Sequence, residues 1–364
     1  MMAQSGVSCR LVVVLALLVL SIEVCGQEQQ GASGSGGPAQ MGDMIVEWTV
    51  KFPVPPVEVS PTSSAGDGRP FGCLMTKAGE RDCLVAWLGD RVGVIDLTVR
   101  SIVHGDYRNL VDVAIGRDGS VFVACSDALR ISSVRDFPGV DRSLPVPGGM
   151  VLTDFACSDH ALMIVGGPGG LLWERPYEIA DVRWEKFVMP SVRCKSISPG
   201  CKQLYLVNAS DDFRDPWVDL ECLRDGRRQI IDRRVRRPSA IVGDMASVDG
   251  RLLVTGFGWF VYVLRGGAWE KHEFDCGYCD GGAWLDDDQF LTWAGGSVSV
   301  WGPSVGGAWR LVASHRFKKP VCGVAMRSPV NLVVCLRDED GLDVVGVKRP
   351  VVSVGGPRSM AEPK

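Results

Sequence analysis

Histidine and tyrosine are scarce in this chain of 364 residues, at 4 and 5 copies. The histidines, His104, His160, His272 and His315, form no H-x-H or H-E-x-x-H spacing, so zinc or copper chemistry lacks support. Basic residues are not in excess either. Lys and Arg number 39 against 43 Asp and Glu, for a net charge of -4, which argues against a general nucleic-acid binder. The 44 glycines and 21 prolines follow no period, which excludes collagen. No G-x-S-x-G, Gly-rich phosphate loop or catalytic triad is present. Sustained i, i+3, i+4, i+7 apolar spacing is also missing, so helices are not expected.

Only one long apolar run exists, and it lies at the start. Leu11 to Leu20 reads LVVVLALLVL, and Glu23 interrupts it. That length suits a signal-peptide core and falls short of the about 20 residues that a membrane span requires. Small residues at Val24 and Gly26 place the expected cleavage after Gly26, making residues 1–26 a signal peptide. Residues 27–43 are polar and Gly/Ser-rich, and read as a disordered linker. The main domain is expected over 44–354, with a flexible tail over 355–364 and no ER-retention or lipidation signal. Secretion or residence in an endomembrane lumen follows as the expected location. Of 13 cysteines, Cys9 and Cys25 would leave with the signal peptide. The remainder is odd in number and suits an oxidising compartment.

The body of the chain repeats. Apolar strands begin at Leu84, Val121, Leu162, Leu204, Leu252, Phe290 and Leu332, with starts 37 to 48 residues apart. Each strand follows a turn rich in Gly, Asp, Asn or Pro, and each unit reads as four strands. One unit illustrates the pattern: Val111–Gly116, the turn Arg117-Asp118-Gly119, Val121–Cys125, Leu129–Val134, and a looser strand near Leu144. Repeats of about 40–45 residues with four strands are the signature of a β-propeller. The expected fold is thus all-β: a seven-bladed propeller of four-stranded antiparallel blades. Trp184, Trp269 and Trp309 open the outer strands of three units, and Val46–Phe52 carries Trp48 in the same setting. That early segment is expected to supply the outer strand of the last unit and close the ring. Val351–Val354 is the rival closing strand.

Three units resemble kelch repeats, in which a Gly-Gly pair ends the second strand and a tryptophan follows. The residues are Gly166-Gly167 with Trp184, Gly295-Gly296 with Trp309, and Gly256 and Gly258 with Trp269. The Gly-His and Trp-Asp signatures of WD repeats are absent. The kelch resemblance implies a binding platform; one branch of that family resembles copper oxidases.

Individual motifs give few chemical leads. Cys73 with Cys83, Cys194 with Cys201, and Cys322 with Cys335 each flank a hairpin turn. Opposed hairpin positions lie about 4.5–5.5 Å apart, close to disulfide reach, so these pairs are expected staples. Cys276 and Cys279 form a C-x-x-C with no second pair to complete a zinc site, and are expected to form a local disulfide. Asp338-Glu339-Asp340-Gly341 and Asp286-Asp287-Asp288 read as turns rather than calcium loops. Asn208-Ala209-Ser210 is the only glycosylation sequon. Residues 224–237 (RDGRRQIIDRRVRR) concentrate positive charge, with Arg227, Arg228, Arg233, Arg234, Arg236 and Arg237 as candidate anion contacts. Their alternative is a solvated outer strand.

These readings favour a binding module for a protein or glycan ligand, anionic ones included, without a cofactor, resident metal, nucleic-acid partner or membrane span. The alternative is a hydrolase or oxidase with its site at the mouth of the propeller channel.

Overall fold

Strands whose two faces both meet protein lose the polar alternation of a surface strand, and the repeated strands here show that loss. Ala161–Gly166 is buried at every position and Ser120–Cys125 at all but its first. By contrast, Ser101–Asp106 is largely exposed. The second strand of each sheet is therefore sandwiched between neighbouring sheets, while the fourth strand meets solvent. A computed structural model describes residues 42–53, 71–88, 91–116, 118–158, 161–167, 171–176, 183–186, 194–209, 215–224, 227–245, 247, 250–286, 289–303, 309–328, 330–337 and 341–349.

The strands group into sheets over residues 71–106, 110–145, 152–186, 194–236, 240–278 and 281–316, and a last sheet over 321–348. Each of the first six sets supplies four consecutive antiparallel strands, and the last supplies three. The innermost strands, from Phe71–Ala78 round to Val321–Ser328, contact one another in chain order, and the last touches the first. This is the ring of a β-propeller. Its core is divided among the gaps between sheets rather than gathered at one centre.

Ile45–Pro53 closes the ring, pairing antiparallel with Gly341–Lys348 as the fourth strand of the last sheet. The early segment therefore does what its tryptophan predicted. The rival segment 351–354 lies outside the described residues. The linker boundary needs correction: Gly42 and Asp43, expected to be disordered, pair in parallel with Ala313 and Ser314. Six sheets are four-stranded as expected, and this extra strand makes the sheet over 281–316 five-stranded. Among the described residues no helix is long and apolar enough to cross a membrane.

Trp48 lies opposite Gly346 beside a register shift. A Cβ on Gly346 would stand 2.1 Å from the indole, so only glycine lets the ring lie flat on the strand. Outer-strand tryptophans elsewhere tie neighbouring sheets. The Trp184 indole donates to the Pro145 carbonyl at 3.2 Å, and Trp269 meets Tyr205 edge-on at 6.1 Å. The glycine doublets have a steric cause of their own. Gly167 and Gly295 take φ of +77° and +52°, and a Cβ on Gly166 would lie 2.4 Å from the Val151 carbonyl oxygen.

Trp48→Ala is expected to cost about 3 kcal/mol, from lost packing, and Gly346→Ala about 2 kcal/mol, from overpacking. Both should appear as lower urea midpoints with an unchanged slope.

Candidate functional site

In an up-and-down sheet, the starts of the first and third strands and the ends of the second and fourth share one edge. Applied around the ring, this order defines one face of the molecule. Two groups of side chains gather on that face, one at the channel mouth and one at the rim.

The mouth group begins with repeated letters. Leu110-Val111-Asp112-Val113 and Leu152-Thr153-Asp154-Phe155 open two neighbouring innermost strands, and Cys194-Lys195-Ser196-Ile197 opens the next. In all three, the register shifts between the first and third residue. Such a bulge re-aims a side chain. Asp154 accepts hydrogen bonds from the Ile197 backbone at 2.7 Å, the Phe155 backbone at 2.9 Å and the Ser196 hydroxyl. Asp112 accepts from the Val113 backbone at 2.8 Å. Both residues are half-buried, and protein surrounds their carboxyl groups. Desolvation pushes Asp154 up from the usual 3.8 to about 6. Asp112 is raised well above the carboxylate range, first by desolvation and then by the charge of Asp154. Carboxyl groups raised in this way are candidates for acid–base chemistry.

The rim group comes from the arginine-rich run, which the structure splits. Arg227–Arg236 is the fourth, outer strand of its sheet, as the solvated-strand alternative required. At its hairpin end, the half-exposed Arg228 forms a two-pronged ion pair with the fully buried Glu221, so its charge is spent internally. Arg227 stays exposed beside that hairpin. At the other end the strand bulges, and Arg234 adopts φ of +54°, with its backbone N–H donating to Asp219 at 3.0 Å. That conformation is strained for a side chain with a Cβ. It carries the Arg234 guanidinium over the Trp217 ring at 5.9 Å, while Arg236 lies 4.2 Å over Phe257. Phe257 in turn meets Tyr278 edge-on at 4.9 Å. Trp217, Phe257 and Tyr278 are 42%, 56% and 45% exposed. Arg233 and Arg237 are exposed beside them, and Arg237 also reaches the Asp215 carbonyl at 3.4 Å.

Other sequence candidates are placed differently. Cys73 lies opposite Ala86, and Cys83 opposite Thr76, so this pair is not opposed across its hairpin. Cys194 lies opposite Asn208, while Cys201 sits in the turn. The proposed Cys194–Cys201 bridge fails for the same reason: the turn offsets one partner from the register. Cys322 falls in a register shift beside Cys335, and its thiol donates to the Cys335 carbonyl at 3.3 Å. Cys279 is buried with its sulfur 3.3 Å from the Gly281 and Trp293 carbonyls. The Cys276 side chain, residues 287–288 and 338–340, and His160 lie outside the described residues. Asn208 occupies a second strand, sandwiched between sheets. Both of its side-chain amide atoms are buried, while the residue as a whole is partly exposed. His272 and His315 lie on outer strands.

No protein-family model and no curated protein matches the chain. Solved structures do resemble it. A virginiamycin B lyase from Staphylococcus aureus aligns at 10% identity and TM-score 0.57, covering 85% of this chain and 100% of that one. BBS1N, crystallised in complex with ARL6DN, aligns at 12% identity and TM-score 0.60, covering 86% and 99%. The Cps50 (Swd1) β-propeller domain of Myceliophteria thermophila aligns at 12% identity and TM-score 0.54, covering 78% and 97%. Identities this low establish the β-propeller fold alone.

Folding raises Asp154, so the folded protein holds a proton that the unfolded chain releases. The resulting stabilisation is full below about pH 4 and is lost as pH rises through about 6. Asp154→Asn should therefore gain stability relative to the unsubstituted protein between about pH 4 and 7. Urea midpoints of both proteins across that range check this.

Proposed function

We propose that this propeller is a protein-binding module of the secreted or endomembrane-lumen space, and that its rim grips an acidic segment of a partner. The observation that carries the reading is the exposed aromatic–arginine cluster of Trp217, Arg234, Arg236, Phe257 and Tyr278. Tryptophan, tyrosine and arginine are the residues that dominate binding energy at protein interfaces. The bulge spends backbone strain to seat an arginine on a tryptophan, and both groups remain open to solvent. Their guanidinium edges stay available to carboxylates, which they can meet with two hydrogen bonds at once. A protein segment offers both carboxylates and apolar side chains to such a surface. The apolar leader, the odd cysteine number and the kelch resemblance of three units support the placement and the role.

Binding of a peptide that alternates glutamate with leucine tests this. Arg236→Ala and Phe257→Ala should each weaken it at least about tenfold. Arg227→Ala, at the opposite end of the strand, should leave it unchanged. Affinity should fall as salt is raised. Retention on heparin with no peptide binding would transfer the site to a glycan, and binding of neither would remove the reading.

A second reading, an enzyme acting at the channel mouth, is favoured by the Asp112–Asp154 pair and its retained proton. Hydrolysis of chromogenic esters and glycosides is its test. Activity should follow an ionisation near about 6 and disappear in Asp154→Asn.

A further inference from the structure

The joint between the first and last sheets holds three thiols. Cys73 comes from the innermost strand of the first sheet; Cys322 and Cys335 come from the first two strands of the last. All three belong to one apolar cluster with Leu84, Val333 and Val344, and Cys73 and Cys335 are 5% and 1% exposed. Cys73 and Cys335 pack in that one cluster, and the Cys73 side chain is the strongest influence on the Cys335 thiol. Cys322 instead directs its thiol to the Cys335 backbone carbonyl, 3.3 Å away. Outside this pocket, the same joint is held by Arg327, whose guanidinium meets Asp82 at 2.7 Å.

We propose that Cys73 and Cys335 form a disulfide that locks the ring after its ends have met. The reading is independent of the ligand proposed above. The two residues lie about 260 positions apart, on the first and last full sheets, so they become neighbours only when the ring shuts. A disulfide oxidant such as oxidised glutathione supplies the redox balance. One cysteine thiolate attacks the glutathione disulfide, releasing one glutathione thiol and leaving a mixed disulfide on the protein. The second cysteine, on losing its proton, attacks the protein-side sulfur and releases the other glutathione thiol. Two protein thiols are thereby oxidised to one disulfide, and one glutathione disulfide is reduced to two thiols. Once closed, the pocket shields the bond from reductants, since both sulfurs lie among packed aliphatic side chains. The neighbouring Cys73 thiol, and then burial, also hold Cys335 well above the ordinary thiol range. Oxidation therefore belongs to the closing step, before the thiols are sealed in.

Refolding the full chain with a reduced and oxidised glutathione mixture, then mapping peptides without reduction, tests the assignment. The expected result is a cross-linked pair of peptides containing Cys73 and Cys335, with Cys322 alkylated. Cys322→Ala should keep that cross-link. The oxidised protein should also melt several degrees higher than its reduced form, and Cys73→Ala should abolish the difference. A Cys322–Cys335 bridge in the unsubstituted protein, or Cys73 and Cys335 both recovered alkylated from folded, oxidised protein, would overturn it.

Discussion

Sheets with two apolar faces have nowhere to hide one of them except against another sheet, and this governs the whole molecule. Leu84, Val121, Ile164, Leu206, Leu252, Phe290 and Val333 show almost no exposure because each belongs to a second strand pressed from both sides. Stacking solves the problem for every sheet except those at the ends of a row. Closure removes the ends. The strand Ile45–Pro53 makes closure permanent by borrowing the fourth strand of the last sheet from the start of the chain, with Trp48 seated on Gly346. The Arg327–Asp82 ion pair and the thiol pocket lie at the adjoining joint between the last sheet and the first.

Much of this architecture is written plainly in the residues. Double-faced burial makes second strands continuous apolar runs, so Ala161–Gly166 is visible without any alignment. The closing strand is legible because Trp48 repeats the setting of Trp184, Trp269 and Trp309. What escapes a linear reading is anything decided by where a turn or a bulge falls. Cys73 and Cys83 look opposed when counted from their turn, yet the pairing sets Cys73 against Ala86. The arginine run looks uniform, but Glu221 consumes Arg228 at one end while a bulge turns Arg234 onto Trp217 at the other. Asn208 reads as a glycosylation sequon from its three-letter pattern alone, although its strand runs between neighbouring sheets.

The mouth carboxylates were missed for a different reason. Asp112 and Asp154 are 42 residues apart and join no recognised motif. Their signal is a shared local pattern, a leucine two places before an aspartate that precedes Val or Phe, at equivalent points of adjacent repeats. Once the ring sets those points side by side, desolvation raises both groups and the charge of Asp154 raises Asp112 further. Chemistry of this sort is a property of the closed ring, and no single repeat possesses it.

The short parallel strand Gly42–Asp43 alters how the start of the chain is held. It rests on the sheet of residues 281–316, while the strand immediately after it completes the sheet of 321–348. The segment thus works as a strap laid across a seam. A force applied there is divided between two neighbouring sheets. In a protein tethered or tugged through its leading end, that division of load would keep the circle intact where a simple edge strand would unzip.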